Sequence, residues 1–132
     1  MNNSPRAPRV LVVDDEESVR AFGERALASA GYDVVSAADG HAALRLIEHQ
    51  GPFDLFLIDL MMPGMNGDEL VRRLRAMEPD AKVLYFTGHA DRLFTGKPIL
   101  WEHEAFVEKP ITTKALREAV SMLLFGHTEG RP

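Results

Sequence analysis

The chain has 132 residues, 45 % of them hydrophobic, and a formal net charge of −5 at neutral pH: enough apolar material for one domain with a core, too little length for two ordinary ones. That balance supplies no basic surface for nucleic acid, and the clustered Arg72, Arg73 and Arg75 suit a solvated helix face better than a phosphate track. The lack of cysteine excludes a disulfide framework and thiolate metal sites. With no signal-peptide core in the opening residues and no apolar run of membrane-spanning length, a soluble cytoplasmic protein is expected.

Residues 1–8 carry two prolines, two asparagines and a serine and read as a flexible leader, with the domain over residues 9–125 and a flexible tail over 126–132. Strand 1 covers residues 9–13 and runs into the acidic cluster Asp14, Asp15, Glu16 and Glu17. Val19, Phe22, Ala26, Leu27 and Ala30 then recur at helical spacing, predicting helix 1 over residues 16–30, with Gly31 as its left-handed stop. A short strand over 33–36 follows. Asp39 is the expected N-cap of helix 2, in which Ala43, Leu46 and Ile47 face inward.

The unbroken apolar run of residues 55–58 reads as a strand buried on both faces, ending in Asp59 and followed at once by a loop rich in Pro, Gly and Asn. Helix 3 is predicted over residues 67–77, burying Leu70, Leu74 and Met77. Pro79 and Asp80 turn the chain into strand 4, residues 82–86, which Thr87 ends. A fourth helix is due next. Gly96 and Pro98 would cost its interior about 1 and about 3 kcal/mol, so it is expected shortened or broken, with Pro98 in the first turn of a small helix over 99–103. A brief strand 5, residues 105–107, leads to Lys109 and Pro110. Thr112 or Thr113 caps helix 5, whose Leu116, Val120, Leu123 and Leu124 form an apolar stripe.

Strands alternating with helices predict an α/β fold: a doubly wound, five-stranded parallel sheet with right-handed crossovers and helices on both faces. In such a sheet the carboxyl ends of the strands form the ligand edge. Strands 1, 3, 4 and 5 would deliver Asp14, Asp15, Asp59, Thr87 and Lys109 there. Two like unit charges 4 Å apart repel by about 4 kcal/mol at an effective dielectric near 20, so such a cluster calls for a cation or shifted pKa values. Mg2+, a hard ion that takes carboxylate, carbonyl and water oxygens, suits it best. A carboxylate beside that ion, a lysine and a hydroxyl is equipped to attack phosphorus and form an aspartyl phosphate, without a general base.

These residues resemble one family, the receiver domain of bacterial two-component response regulators. The matches are Asp14-Asp15 after Val-Val, Asp59 followed by Met62-Pro63-Gly64 and Asn66-Gly67, Thr87-Gly88, and Lys109-Pro110, in order over about residues 9–125. The resemblance implies a flavodoxin-like strand order 2-1-3-4-5. It also implies that Asp59 accepts phosphate from a sensor histidine kinase or phosphotransfer protein. Asp15, Asp59 and the Met61 carbonyl would hold Mg2+ directly, with Asp14 acting mostly through water, and the Lys109-Pro110 bond would be cis. Thr87 and Phe106 would move inward on phosphorylation and alter the face built from helix 4, strand 5 and helix 5; Phe106 lacks the hydroxyl that many relatives carry there. Met61 and His89 would tune loss of phosphate. A signalling role rather than an enzyme's is expected, one that promotes its own phosphorylation and dephosphorylation. The downstream protein target is not named by the sequence, and a weak homodimer is left open.

Each residue also has a plainer reading. Asp14 and Asp15 could cap helix 1, Asp59 could be a turn residue, Thr87 a loop cap, Lys109 a surface lysine, His89 a solvated histidine and Phe106 a half-buried ring. His41, His49, His103 and His127 show no ligand spacing. The rival function is a magnesium-dependent aspartyl-phosphate phosphatase, which generally needs a second aspartate two residues after the nucleophile; Met61 stands there. A flavin module would need a phosphate-cradling loop where residues 14–17 are acidic. Finally, Phe94, Ile99, Leu100 and Trp101, flanking the helix-breaking triplet, are expected to form a partner-facing or self-association patch distinct from a regular helix 4.

Overall fold

A computed structural model of the chain describes residues 7–87, 104–108 and 111–126. The strands are β1 (Arg9–Val13), β2 (Asp33–Ala37), β3 (Leu55–Asp59), β4 (Lys82–Thr87) and β5 (Glu104–Glu108). The helices are α1 (Glu17–Ala28), α2 (Gly40–Gln50), α3 (Gly67–Met77) and, after β5, α4 (Thr113–Phe125), which is the fifth helix of the sequence reading. All five strands pair in parallel in the order β2-β1-β3-β4-β5, so the doubly wound architecture and its strand order are as expected. The expected broken helix, the small helix over 99–103, the patch of Phe94, Ile99, Leu100 and Trp101, and the Lys109-Pro110 bond lie outside the described residues.

Alternation along each strand builds the two cores. Leu11, Val13, Phe56, Ile58, Val83 and Tyr85 face one side, where Ala43 and Ile47 of α2 and Leu70, Val71 and Leu74 of α3 cover them. Val10, Val12, Leu55, Leu57, Leu84 and Phe86 face the other, under Ala26 and Leu27 of α1 and Leu116 and Val120 of α4. Every residue of β3 is buried, because a parallel strand in the middle of the sheet has helices above and below it.

Local chemistry sets the helix starts. The Asp39 carboxylate accepts the Ala42 N–H at 2.8 Å, Asn66 accepts from Glu69 at 3.0 Å, and Thr112, the first of the two candidate caps, accepts from Ala115 at 3.0 Å. Each satisfies a donor that the first helical turn leaves unpaired. Gly31 and Gly126 carry the positive φ of 98° and 78° that lets the chain leave α1 and α4. Met77 departs from expectation: it is 45 % exposed. Leu70, Val71 and Leu74 already complete the buried stripe, and Met77 stands in the turn where α3 ends, with Glu78 no longer helical. Among the described residues no helix is long and apolar enough to cross a membrane.

Arg9 ties together the edge of the sheet that lies away from the strand carboxyl ends. Its guanidinium donates to the Gln50 carbonyl and, at 3.1 Å, to the Pro52 carbonyl, lies 3.3 Å from the Asp33 carboxylate, and stacks 4.5 Å from the centre of the Phe53 ring. Close by, partial burial holds the Glu78 carboxyl above the usual carboxylate range; the Phe53 N–H bond opposes that shift and the nearby Asp54 charge adds to it.

Two outcomes follow from this packing. Leu57→Ala, which empties a fully buried site between β3 and α1, is expected to lower unfolding free energy by about 2–5 kcal/mol; a urea-melt loss well below that range would contradict the packing. For Glu78, the folded carboxyl binds its proton more tightly than the unfolded one. Stability therefore falls as pH rises from the ordinary carboxylate pKa through the raised folded value. Glu78→Gln should flatten that fall in urea midpoints measured between about pH 4 and pH 7.

Candidate functional site

β1 and β3 are neighbours with Val13 opposite Ile58, so the next residue on each strand, Asp14 and Asp59, reaches the same edge. The site is the direct product of that register. Asp14 is 1 % exposed and Asp59 4 %, whereas Asp15 is exposed. One carboxylate oxygen from each of Asp14, Asp15 and Asp59 lies within 4.8 Å of the others.

Main-chain bonds fix two of the three. The Asp14 N–H donates to the Ala37 carbonyl of β2 at 3.2 Å, its Oδ1 accepts the Glu16 N–H at 2.9 Å, and its carbonyl accepts Arg20 Nη1 at 2.8 Å. The bond to Glu16 closes a turn ahead of α1 and does not cap the helix: the N-cap is Glu16, which has no side-chain cap bond, so the plainer helix-capping reading of Asp14 is not what the structure shows. Asp59 Oδ1 accepts the Met61 N–H at 3.2 Å.

The loop after Asp59 is anchored by its own side chains. Leu60, Met62 and Met65 are buried while Met61 is 43 % exposed. Gly64 turns the chain with φ 81°, the Met65 N–H closes on the Pro63 carbonyl at 3.0 Å, and the Gly67 N–H donates to the Leu60 carbonyl at 2.8 Å. At Gly67 the helix backs directly onto the acidic strand end: a Cβ there would sit 2.7 Å from the Asp59 carbonyl oxygen and 2.9 Å from the Leu60 Cα.

The donor set suits a hard divalent ion. Opposite oxygens around one octahedral Mg2+ stand about 4 Å apart, close to the spread of the three carboxylates, and these ligands are all oxygen. In β4, Thr87 pairs with Glu108 of β5, and Phe106 pairs with Tyr85. The backbones of Thr87 and Phe106 are therefore on the two strands flanking the site on one side. Lys109 and His89 lie outside the described residues. Sequence reasoning missed Arg20, although an arginine one turn into the helix that follows an acidic strand end was there to be seen. It also missed the anchoring role of Met65.

The family model described as the response regulator receiver domain matches residues 10–121. The chain belongs to the response regulator receiver domain family. As a receiver domain it has a phosphorelay signalling function, and no observation favours the phosphatase alternative. The sequence is 39 % identical over 116 residues to the sensor kinase CckA of Brucella abortus, covering 87 % of this chain and 12 % of that protein. It is 39 % identical over 82 residues to the response regulator receiver protein CpdR of the same organism, covering 62 % of this chain and 68 % of CpdR. The chain spans about half the length of the transcriptional regulators it also matches. Among solved structures, the response regulator TrrA of Thermotoga maritima in complex with Mg2+-BeF superposes with a TM-score of 0.77 at 32 % identity, over 89 % of this receiver domain and 99 % of TrrA.

Gly67→Ala tests how the acidic edge of this receiver domain is held. Helix propensity alone would favour alanine by about 1 kcal/mol. The contact with the Asp59 main chain predicts the opposite, a loss of about 1–3 kcal/mol in chemical denaturation, and a variant as stable as the parent would show that the close approach is not a constraint.

Proposed function

We propose that the Asp59 carboxylate accepts a phosphoryl group from a phosphohistidine of a sensor histidine kinase or phosphotransfer protein, in a magnesium-dependent reaction carried by residues 9–125. The observation that carries this reading is the gathering of Asp14, Asp15 and Asp59 oxygens within 4.8 Å at one strand edge. Two of these acids are nearly fully buried, an arrangement whose mutual repulsion a bound cation would offset. The likeness to TrrA, solved with Mg2+-BeF, supports the choice of ion.

In the transfer, an Asp59 oxygen bonds to phosphorus as the P–N bond of the donor breaks, and the electron pair of that bond stays on the imidazole nitrogen. A donor ring protonated on its other nitrogen leaves as neutral imidazole, so no base on the receiver is needed. Asp59 is held for this by the Met61 N–H on Oδ1. Asp15, Asp59 and the Met61 carbonyl would hold Mg2+ directly. Asp14, whose Oδ1 already accepts the Glu16 amide, would act through water. When bound, the ion offsets negative charge on the phosphoryl oxygens. Lys109 would supply a second cation and Thr87 a hydroxyl donor to the phosphoryl group.

The aspartyl phosphate would then shift a population of conformers through Thr87 and Phe106, with Met61 and His89 setting the access of water to phosphorus. A protein target, or a second copy of the chain in a weak dimer, would read the face that includes β5 and α4. Met122 and Phe125 of α4, each 50 % exposed, offer apolar area on that helix.

Incubation with acetyl phosphate and Mg2+, followed by intact mass, tests the assignment. The native chain should gain one phosphoryl group, and neither Asp59→Asn nor the native chain without Mg2+ should do so. Equal labelling of the native chain and Asp59→Asn would move the acceptor elsewhere.

A further inference from the structure

Arg20 stands on α1 beside the most acidic stretch of the chain, yet it bonds to none of the carboxylates. Its Nη1 donates to the main-chain carbonyl of Asp14 at 2.8 Å. Among the described residues the ion pairs are Arg9 with Asp33, His49 with Glu48 and Arg73 with Glu69; Arg20 takes part in none. A guanidinium that paired with Asp14, Asp15 or Asp59 would occupy the oxygens an ion needs and offset the same charge. Bonded to a neutral carbonyl, Arg20 itself occupies none of the carboxylate oxygens.

What the bond does instead is mechanical. The Asp14 carbonyl belongs to the peptide that joins Asp14 to Asp15; of the other anchors of Asp14, its N–H on Ala37 lies before that peptide, and its Oδ1 reaches across it to the Glu16 N–H without touching the peptide's own carbonyl. The Arg20 bond fixes the plane of the peptide itself. Asp15, the exposed member of the trio, has its carboxylate aimed by that plane. We infer that Arg20 is a positioning residue for the metal site: it orients the Asp14-Asp15 peptide so that the Asp15 carboxylate faces the ion, and it contributes through geometry rather than charge.

This inference rests on the function proposed above, and the sign of one measurement separates it from a purely electrostatic role. A cation near a metal site opposes metal binding, so deleting it by charge alone should tighten Mg2+. Loss of positioning should loosen Mg2+. Titration calorimetry of the unphosphorylated full chain with MgCl2 is expected to give a Kd about three- to tenfold weaker for Arg20→Ala. Arg20→Lys, which keeps a charged donor of similar reach, should recover most of the affinity.

The Mg2+-induced rise in Tm should shrink in Arg20→Ala to match, an effect that a general loss of stability would not produce; far-UV circular dichroism confirms that the variants compared are folded. Unchanged or tighter Mg2+ binding by Arg20→Ala overturns the inference while leaving the proposed function standing. Failure of the native chain itself to bind Mg2+ overturns both.

Discussion

Three carboxylates confined to one small volume are the arrangement that the rest of this molecule has to hold in place. Each pair of ionised groups at about 4 Å repels by about 4 kcal/mol at an effective dielectric near 20, and burial of Asp14 and Asp59 adds a desolvation cost to both. An isolated loop would relax by letting the acids swing apart. Here they cannot, because two are carried on the ends of adjacent strands whose register is set by apolar side chains on both faces. Slipping β1 against β3 by one residue would exchange the inward sets of both cores at once. The hydrophobic burial of Val10, Leu11, Val12, Val13 and of every residue of β3 thus holds the charges together, at about 1.5–3 kcal/mol for each large side chain removed from water.

The bonds around the acids divide the work. Asp14 is bound through its N–H, its carbonyl and one carboxylate oxygen to β2, α1 and the start of that helix. Asp59 is bound through one oxygen to Met61 and is backed by the close approach of Gly67. The loop between is pinned from the other direction. Met65 packs so tightly against the first turn of α2 that a Cβ at Gly40 would meet its sulfur at 2.7 Å. The main-chain donors on the two buried acids orient them without themselves bringing a full positive charge to the edge.

Much of this was legible from residue order. The double-sided burial of residues 55–58 announced a central parallel strand, and the acids at the ends of two apolar runs announced a shared edge, because parallel topology leaves only one edge for carboxyl termini to meet. Asp39 and the Thr112-Thr113 pair were legible as caps since their side chains bond locally. The misses are tertiary. Burial of Met77 depended on where α3 stops relative to the sheet, which helical spacing does not encode. The contacts of Arg9 with Asp33, Gln50, Pro52 and Phe53, and of Arg20 with the Asp14 carbonyl, depend on which long side chain folds back over which backbone. An arginine in a sequence reads equally well as a solvated one.

The same packing also suggests the direction in which a change of charge at Asp59 would be felt. Toward α2 and α3 the neighbours are fully buried: Leu60, Met62, Met65, Leu70 and Val71 leave little room to move, and close-packed interiors resist small displacements. Toward the other flank the packing loosens. β5 is an edge strand with β4 as its one partner in the sheet, and Ala105, Val107, Ile111, Ala119, Leu123 and Leu124 are only partly buried. Elements with fewer buried contacts open at lower free energy, so a second arrangement costs less there than among the buried side chains from Leu60 to Val71. A gain of negative charge at Asp59 would therefore meet a stiff flank toward α3 and a less tightly packed one toward β5 and α4, even though both core faces are built from the same kinds of residue.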